Sequence, residues 1–191
     1  MTARRRPWSD RTTRILAWVA VAFNVPVAEF VRARDLSRNR TLASLGPDLL
    51  SATFDRVEAL RRLASAGTRA IGEALLDQRV VAGIGNVYRS EVLFSARIHP
   101  ERPASSLSRD ELDRILDTAV PLMRANTGPG ASAGIVTYRG LRQTTRLASA
   151  ADHLWVYGRR GKPCRKCGTP IESVKRGLEA RSLYWCPKCQ R

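Results

Sequence analysis

At 191 residues with a hydrophobic fraction of 43%, the chain is large enough to bury a real core, as one medium domain or one domain with a small appendage. Its 33 Lys and Arg against 17 Asp and Glu leave a formal charge of +16, which calls for a polyanionic partner, nucleic acid above all, or else a generally basic solvated surface. The charge is uneven: +6 over residues 1–40, +2 over 41–155 and +8 over 156–191, where all four lysines (Lys162, Lys166, Lys175 and Lys188) lie.

Arg4–Arg6 followed by the apolar stretch Ile15 to Phe23 loosely resembles a signal peptide. Secretion would oxidise the cysteines discussed below, and Asn24, Pro26 and Glu29 interrupt the run too early for a membrane span. The alternation of Val19, Val21, Phe23, Val25 and Val27 with Ala20, Ala22, Asn24 and Pro26 predicts a strand that needs a sheet from elsewhere.

From Thr53 the pattern turns helical, with Phe54, Val57, Leu60 and Leu63 on one face and Arg56, Arg61 and Arg62 on the other. Gly67 ends this helix, Thr68 caps a second over Ala70–Arg79, and a third runs over Val87–Ala96 until Pro100 and Pro103 close it. Ser108-Arg109-Asp110-Glu111 is a capping box opening a helix with Leu112, Ile115, Leu116, Val120 and Met123 inward, kinked at Pro121. Gly128-Pro129-Gly130 is a stop. Residues 130–152 read as a long loop, mobile or ordering only on a partner, and Trp155 to Arg159 as a strand leading into the cysteines.

The four cysteines follow the spacing C-x₂-C-x₁₈-C-x₂-C: Cys164, Cys167, Cys186 and Cys189. Two residues between ligands let both sulfurs reach one ion, and the insert is long enough for a β-hairpin that brings the pairs together. Four thiolates close a tetrahedral Zn²⁺, so one structural ion in a reducing compartment is expected, against a redox or disulfide role. Gly83-Ile84-Gly85-Asn86 lies between two helices, as a phosphate seat at a helix N-terminus or as a simple packing corner.

Leu75-Leu76-Asp77-Gln78-Arg79-Val80-Val81-Ala82-Gly83-Ile84-Gly85-Asn86-Val87-Tyr88, with Glu91-Val92-Leu93-Phe94 and Ile98-His99-Pro100, resembles the helix–two-turn–helix core of the formamidopyrimidine-DNA glycosylase and endonuclease VIII family. Val156-Tyr157-Gly158-Arg159, Pro163-Cys164 and Arg181-Ser182 through Cys186-Pro187-Lys188-Cys189-Gln190 resemble that family's C-terminal zinc finger. Phe23-Asn24-Val25-Pro26-Val27 resembles the last strand of its N-terminal domain.

The resemblance implies base excision repair of oxidised bases on double-stranded damaged DNA, by a cytoplasmic, nucleoid-associated monomer without membrane attachment. Asn86 and Arg181 would hold backbone phosphates on two sides of a flipped-out lesion, and Gly83, Gly85, Tyr157 and Arg159 complete the implied DNA-binding set. The family's nucleophile is an N-terminal proline followed by glutamate. Here the chain reads Met1-Thr2-Ala3-Arg4, so no catalytic residue is assigned and the DNA-binding half is expected to be inactive alone. A Thr2 amine, were Met1 removed, is the thin route to residual lyase activity.

The expected fold is α+β: a remnant of the N-terminal catalytic β-domain over 1–44, a mostly helical DNA-binding domain over 45–130, a connecting loop over 131–154 and a small β zinc ribbon over 155–191. The alternative is a non-enzymatic zinc-ribbon protein that binds nucleic acid through charge.

Overall fold

The computed structural model describes residues 13–15, 18–20, 31–127, 135–138, 150–176 and 181–191. It divides into two compact units, Met1–Asn39 and Arg40–Arg191. In the first, β1 (Thr13–Ile15) pairs antiparallel with β2 (Trp18–Ala20), Ile15 opposite Trp18, and a 3₁₀ turn covers Ala33–Arg38. The predicted strand over Val19–Val27 is described only at its first two residues; residues 21–27 lie outside the described set.

The second unit runs α1 (Arg40–Ala43), α2 (Arg56–Ala64), α3 (Ile71–Ala74), α4 (Asn86–Ala96), α5 (Arg109–Arg124), β3 (Glu172–Arg176) and β4 (Arg181–Trp185). Asp55 caps α2 by accepting the Glu58 N–H at 2.9 Å. The helix buries Ala59, Leu60 and Leu63, but Val57 is 71% exposed, contrary to the expected apolar face. Three-residue steps drift by roughly 60° per step around a helix, so Val57 has rotated off the face that Leu63 occupies.

The helix expected over Ala70–Arg79 shrinks to α3, and its N-cap is Ala70, with no cap from Thr68. Pairing with distant backbone overrides the local pattern. The carbonyls of Arg102 and Pro100 accept the N–H groups of Ile71 and Gly72, while Gly46 N–H reaches the Gln78 carbonyl and Ala82 N–H the Pro47 carbonyl. Gly46 is required there, because a Cβ would lie 2.6 Å from the Val80 carbonyl oxygen. α4 ends at Arg97, which takes the left-handed conformation at φ 61°, before either proline is reached.

The capping box of α5 is complete: Ser108 Oγ accepts the Glu111 N–H and the Glu111 carboxylate accepts the Ser108 N–H. This helix runs on past Pro121 to Arg124 and buries Leu112, Ile115, Leu116, Ala119 and Met123, with Val120 partly covered. α4 is the central element, packing on α5 on one side and on β4 on the other. The resulting α+β arrangement is a helical core followed by a two-stranded ribbon, β3 antiparallel to β4 with Glu172 opposite Trp185. Among the described residues no helix is long and apolar enough to cross a membrane.

Candidate functional site

The turn before α4 is built by Gln78. Its Oε1 accepts the Gly83 N–H at 2.9 Å and its Nε2 donates to the Ile84 carbonyl at 2.8 Å, fixing the loop from both ends. Gly83 sits at φ 108°, which disfavours a side chain, and a Cβ there would press on Met123. Gly85 differs. Its φ is −103° and a Cβ would meet nothing within 4 Å, so the fold does not demand glycine there. It is the exposed N-cap of α4 and makes no side-chain cap, so the first-turn N–H groups and the positive end of the helix dipole face outward.

Asn86, half-buried, opens α4. Its Oδ1 accepts from Arg89 Nη2 at 2.8 Å. Arg89 is 1% exposed; Nη2 also donates to the Ser182 carbonyl at 3.2 Å and Nη1 lies 3.4 Å from the Gly72 carbonyl. Its Nε finds no hydrogen-bond partner among the described residues. Burial, and then the like charge of Arg181, lowers the Arg89 pKa, with Glu73 and Tyr157 opposing. Arg181, exposed, is the first residue of β4, immediately before Ser182. The turn at α4 and the ribbon hairpin therefore meet around one buried guanidinium.

Tyr157 is half-buried and packs edge-on against Tyr184, with ring centroids 5.0 Å apart. Arg159 is 5% exposed, and its Nη atoms donate to the carbonyls of Trp155 (2.6 Å) and Pro163 (2.9 Å). It braces the approach to the first cysteine pair instead of presenting its charge outward. The strand expected over Trp155–Arg159 is a series of bends and turns. The reason is Glu91, fully buried on α4, which accepts the N–H groups of Trp155, Val156 and Tyr157 at 2.8–2.9 Å and the Thr137 hydroxyl. Backbone donors committed to a carboxylate are not available to a neighbouring strand.

The sulfurs of Cys164, Cys167, Cys186 and Cys189 all lie within 4.8 Å of one another, the 164–189 pair at 3.9 Å and the 167–186 pair at 3.5 Å. Four thiolates at zinc distance stand about 3.8 Å apart around a tetrahedral ion, so the donor set fits Zn²⁺. Burial, and then crowding by the other thiols, pushes Cys189 up to about 12, whereas the Thr169 hydroxyl and N–H draw Cys167 down to about 6. A divalent cation relieves that crowding by favouring all four thiolates. The cage is closed on every side by sulfur, so the ion is structural. Phe94 of α4 joins Val156, Ile171, Cys164 and Cys186 in the core around it.

Arg89, Glu91 and Gln78 received no role from the sequence. The signal available was two charges, Arg89 and Glu91, two residues apart and directly before the apolar run Val92-Leu93-Phe94. Residues 177–180, which precede Arg181 in sequence, and 139–149, within the long predicted loop, lie outside the described residues.

Residues 45–134 match the formamidopyrimidine-DNA glycosylase H2TH domain, and residues 161–191 match the zinc finger found in FPG and IleRS. The chain is 39% identical over 155 residues to a formamidopyrimidine-DNA glycosylase of Listeria innocua, covering 81% of this chain and 55% of that protein. It is 39% identical over 173 residues to a probable endonuclease 8 2 of Streptomyces coelicolor, covering 90% of this chain and 58% of that protein. A Lactococcus lactis FPG variant solved in complex with Fapy-dG-containing DNA superposes with a TM-score of 0.67 at 30% identity, over 84% of this chain and 57% of that one. MutM (FPG) from Thermus thermophilus gives 0.63 at 35% identity, over 84% and 59%. The chain thus spans little more than half the length of these relatives. Over its helix–two-turn–helix and zinc-finger parts, the chain belongs to the formamidopyrimidine-DNA glycosylase and endonuclease VIII family.

Proposed function

We propose that this chain recognises damaged double-stranded DNA in base excision repair, as a monomer acting on the nucleoid, with one structural Zn²⁺ holding the ribbon in its working position. Residues 45–130 serve as the DNA-binding domain, 131–154 as a connecting loop, 155–191 as the ribbon, and 1–44 as part of an N-terminal β-domain. The observation that carries this reading is the pairing of two anion-seeking features at one place. The uncapped N-terminus of α4 with Asn86 lies on one side of Arg89 and the exposed Arg181 next to Ser182 on the other. Glycine at position 85, where the fold has room for a side chain, suits close approach of a sugar–phosphate backbone. Arg181 suits the second phosphate because its planar fork makes two parallel hydrogen bonds.

Tyr157 and Arg159 act indirectly in this reading, by supporting the ribbon from below. Gly83 shapes the turn. The test is equilibrium binding of the zinc-loaded chain to duplexes with and without one abasic site, with borohydride added to a parallel sample. The expected result is tighter binding to the abasic duplex and no covalent adduct from residues 1–191. Equal affinity for both duplexes, falling steeply with salt, would instead favour a zinc-ribbon protein that binds nucleic acid through charge alone. A trapped adduct would place an imine-forming amine within this chain.

A further inference from the structure

The two residues assigned to phosphate contact come from elements far apart in sequence, and the Arg89 side chain bonds one of them, Asn86, and the carbonyl of Ser182, the neighbour of the other. Arginine only donates, so the Asn86 atom facing Arg89 Nη2 at 2.8 Å is the carbonyl oxygen Oδ1. That fixes the amide orientation: the Asn86 oxygen is committed to Arg89 and its NH₂ donors are turned away from the guanidinium, the polarity an anion requires. Were the amide flipped, its oxygen would face the phosphate and repel it. The same Nη2 donates to the Ser182 carbonyl, immediately after Arg181, and so anchors the start of β4 to the start of α4.

The guanidinium cannot make the phosphate contact itself, because it is 1% exposed and partnered with backbone on two elements. Its burial beside another cation, with Nε unpartnered among the described residues, is a costly arrangement that packing alone does not require. An apolar side chain of similar length would fill the same space at lower cost.

We infer that Arg89 is a positioning residue for the DNA-binding reaction: it orients the Asn86 amide and sets the spacing between Asn86 and Arg181. This rests on the proposed phosphate roles of those two residues. The groups facing it are Asn86 on its own helix, the Gly72 and Ser182 carbonyls, and the charged or polar Arg181, Glu73 and Tyr157 nearby.

The test is a double-mutant cycle on abasic duplex with Arg89→Met, Asn86→Ala and the pair, each variant checked for one bound zinc and for its melting temperature. Arg89→Met is expected to weaken binding on the order of ten-fold in the wild-type background and clearly less once Asn86 is alanine, where only the placement of Arg181 is left to lose. An equal loss in both backgrounds, or no loss in either, overturns the inference. Should Arg89→Met fail to fold, Arg89→Lys carries the test. Lysine keeps the charge but not the fork, so the same background-dependent loss is expected, and wild-type binding would overturn the inference. Wild-type chain that binds no duplex at all would defeat the proposed function itself, whereas duplex binding with an additive cycle would defeat only the role of Arg89.

Discussion

The helical core and the ribbon face the same problem and meet it by different means. In the helical part, α2, α4 and α5 bury a continuous apolar cluster from Leu49 to Met123, and charged pairs such as Arg56 with Asp113 and Asp117 stay at the rim. The ribbon has a core of five buried residues, two of them cysteines and one, Phe94, lent by α4. It is completed by a metal cage and by buried polar clamps: Glu91 on three backbone N–H groups, Arg159 on two carbonyls, and Gln190 bridging the Cys186 N–H to the Ile98 carbonyl. Where apolar surface is plentiful, burial suffices. Where it is scarce, directional bonds and a cation must supply the structure, and they also fix position more tightly, which suits the phosphate-holding role proposed for Arg181.

The largest expected effect separates the two regions outright. Small zinc-dependent modules draw on the order of 10 kcal/mol from the metal, so chelation, or Cys186→Ser, should abolish the near-ultraviolet circular dichroism of Trp155, Tyr184 and Trp185 while the far-ultraviolet helical signal persists. Simultaneous loss of both signals would mean that the two parts fold as one unit. Leu116→Ala works from the other side. Truncating this fully buried side chain should cost about 2–5 kcal/mol of unfolding free energy in denaturant titration, yet leave one zinc bound per chain at low denaturant.

The smallest effect concerns the helical rim. Hydrogen bonds from Arg61 and then Arg62 hold the Glu58 carboxyl at about 2, against an ordinary 4.5. A depressed carboxylate stabilises the fold above its unfolded pKa and loses that contribution as pH falls towards the folded value. Helical stability should therefore decline from about pH 4.5 to 2, and Glu58→Gln should flatten that decline slightly, the pair being exposed and screened. A pH profile unchanged by the substitution would show that the pair contributes nothing measurable.

The same contrast explains what the sequence disclosed. Cysteine spacing announced the metal cage because two-residue knuckles have few other uses, and the capping box announced α5 because its two bonds are local. The pairing of residues 46–49 with 78–82, which cut α3 short, depends on backbone contacts that no periodicity records. Arg89 and Glu91 were hidden for a related reason. A buried charge on a helix looks in sequence like a solvated one until its partners, some as far as 93 residues away, are placed around it. Asn86 and Arg181 are legible through the family resemblance, while Arg89, which bonds Asn86 and the Ser182 carbonyl, is not.

The most direct test of the central claim is phosphate-ethylation interference on a duplex with one abasic site, using the zinc-loaded wild type, Asn86→Ala and Arg181→Ala. The account predicts two short clusters of interfering phosphates flanking the lesion, with each substitution erasing a different one. A uniform weak pattern along the duplex, or two substitutions erasing the same cluster, would contradict it.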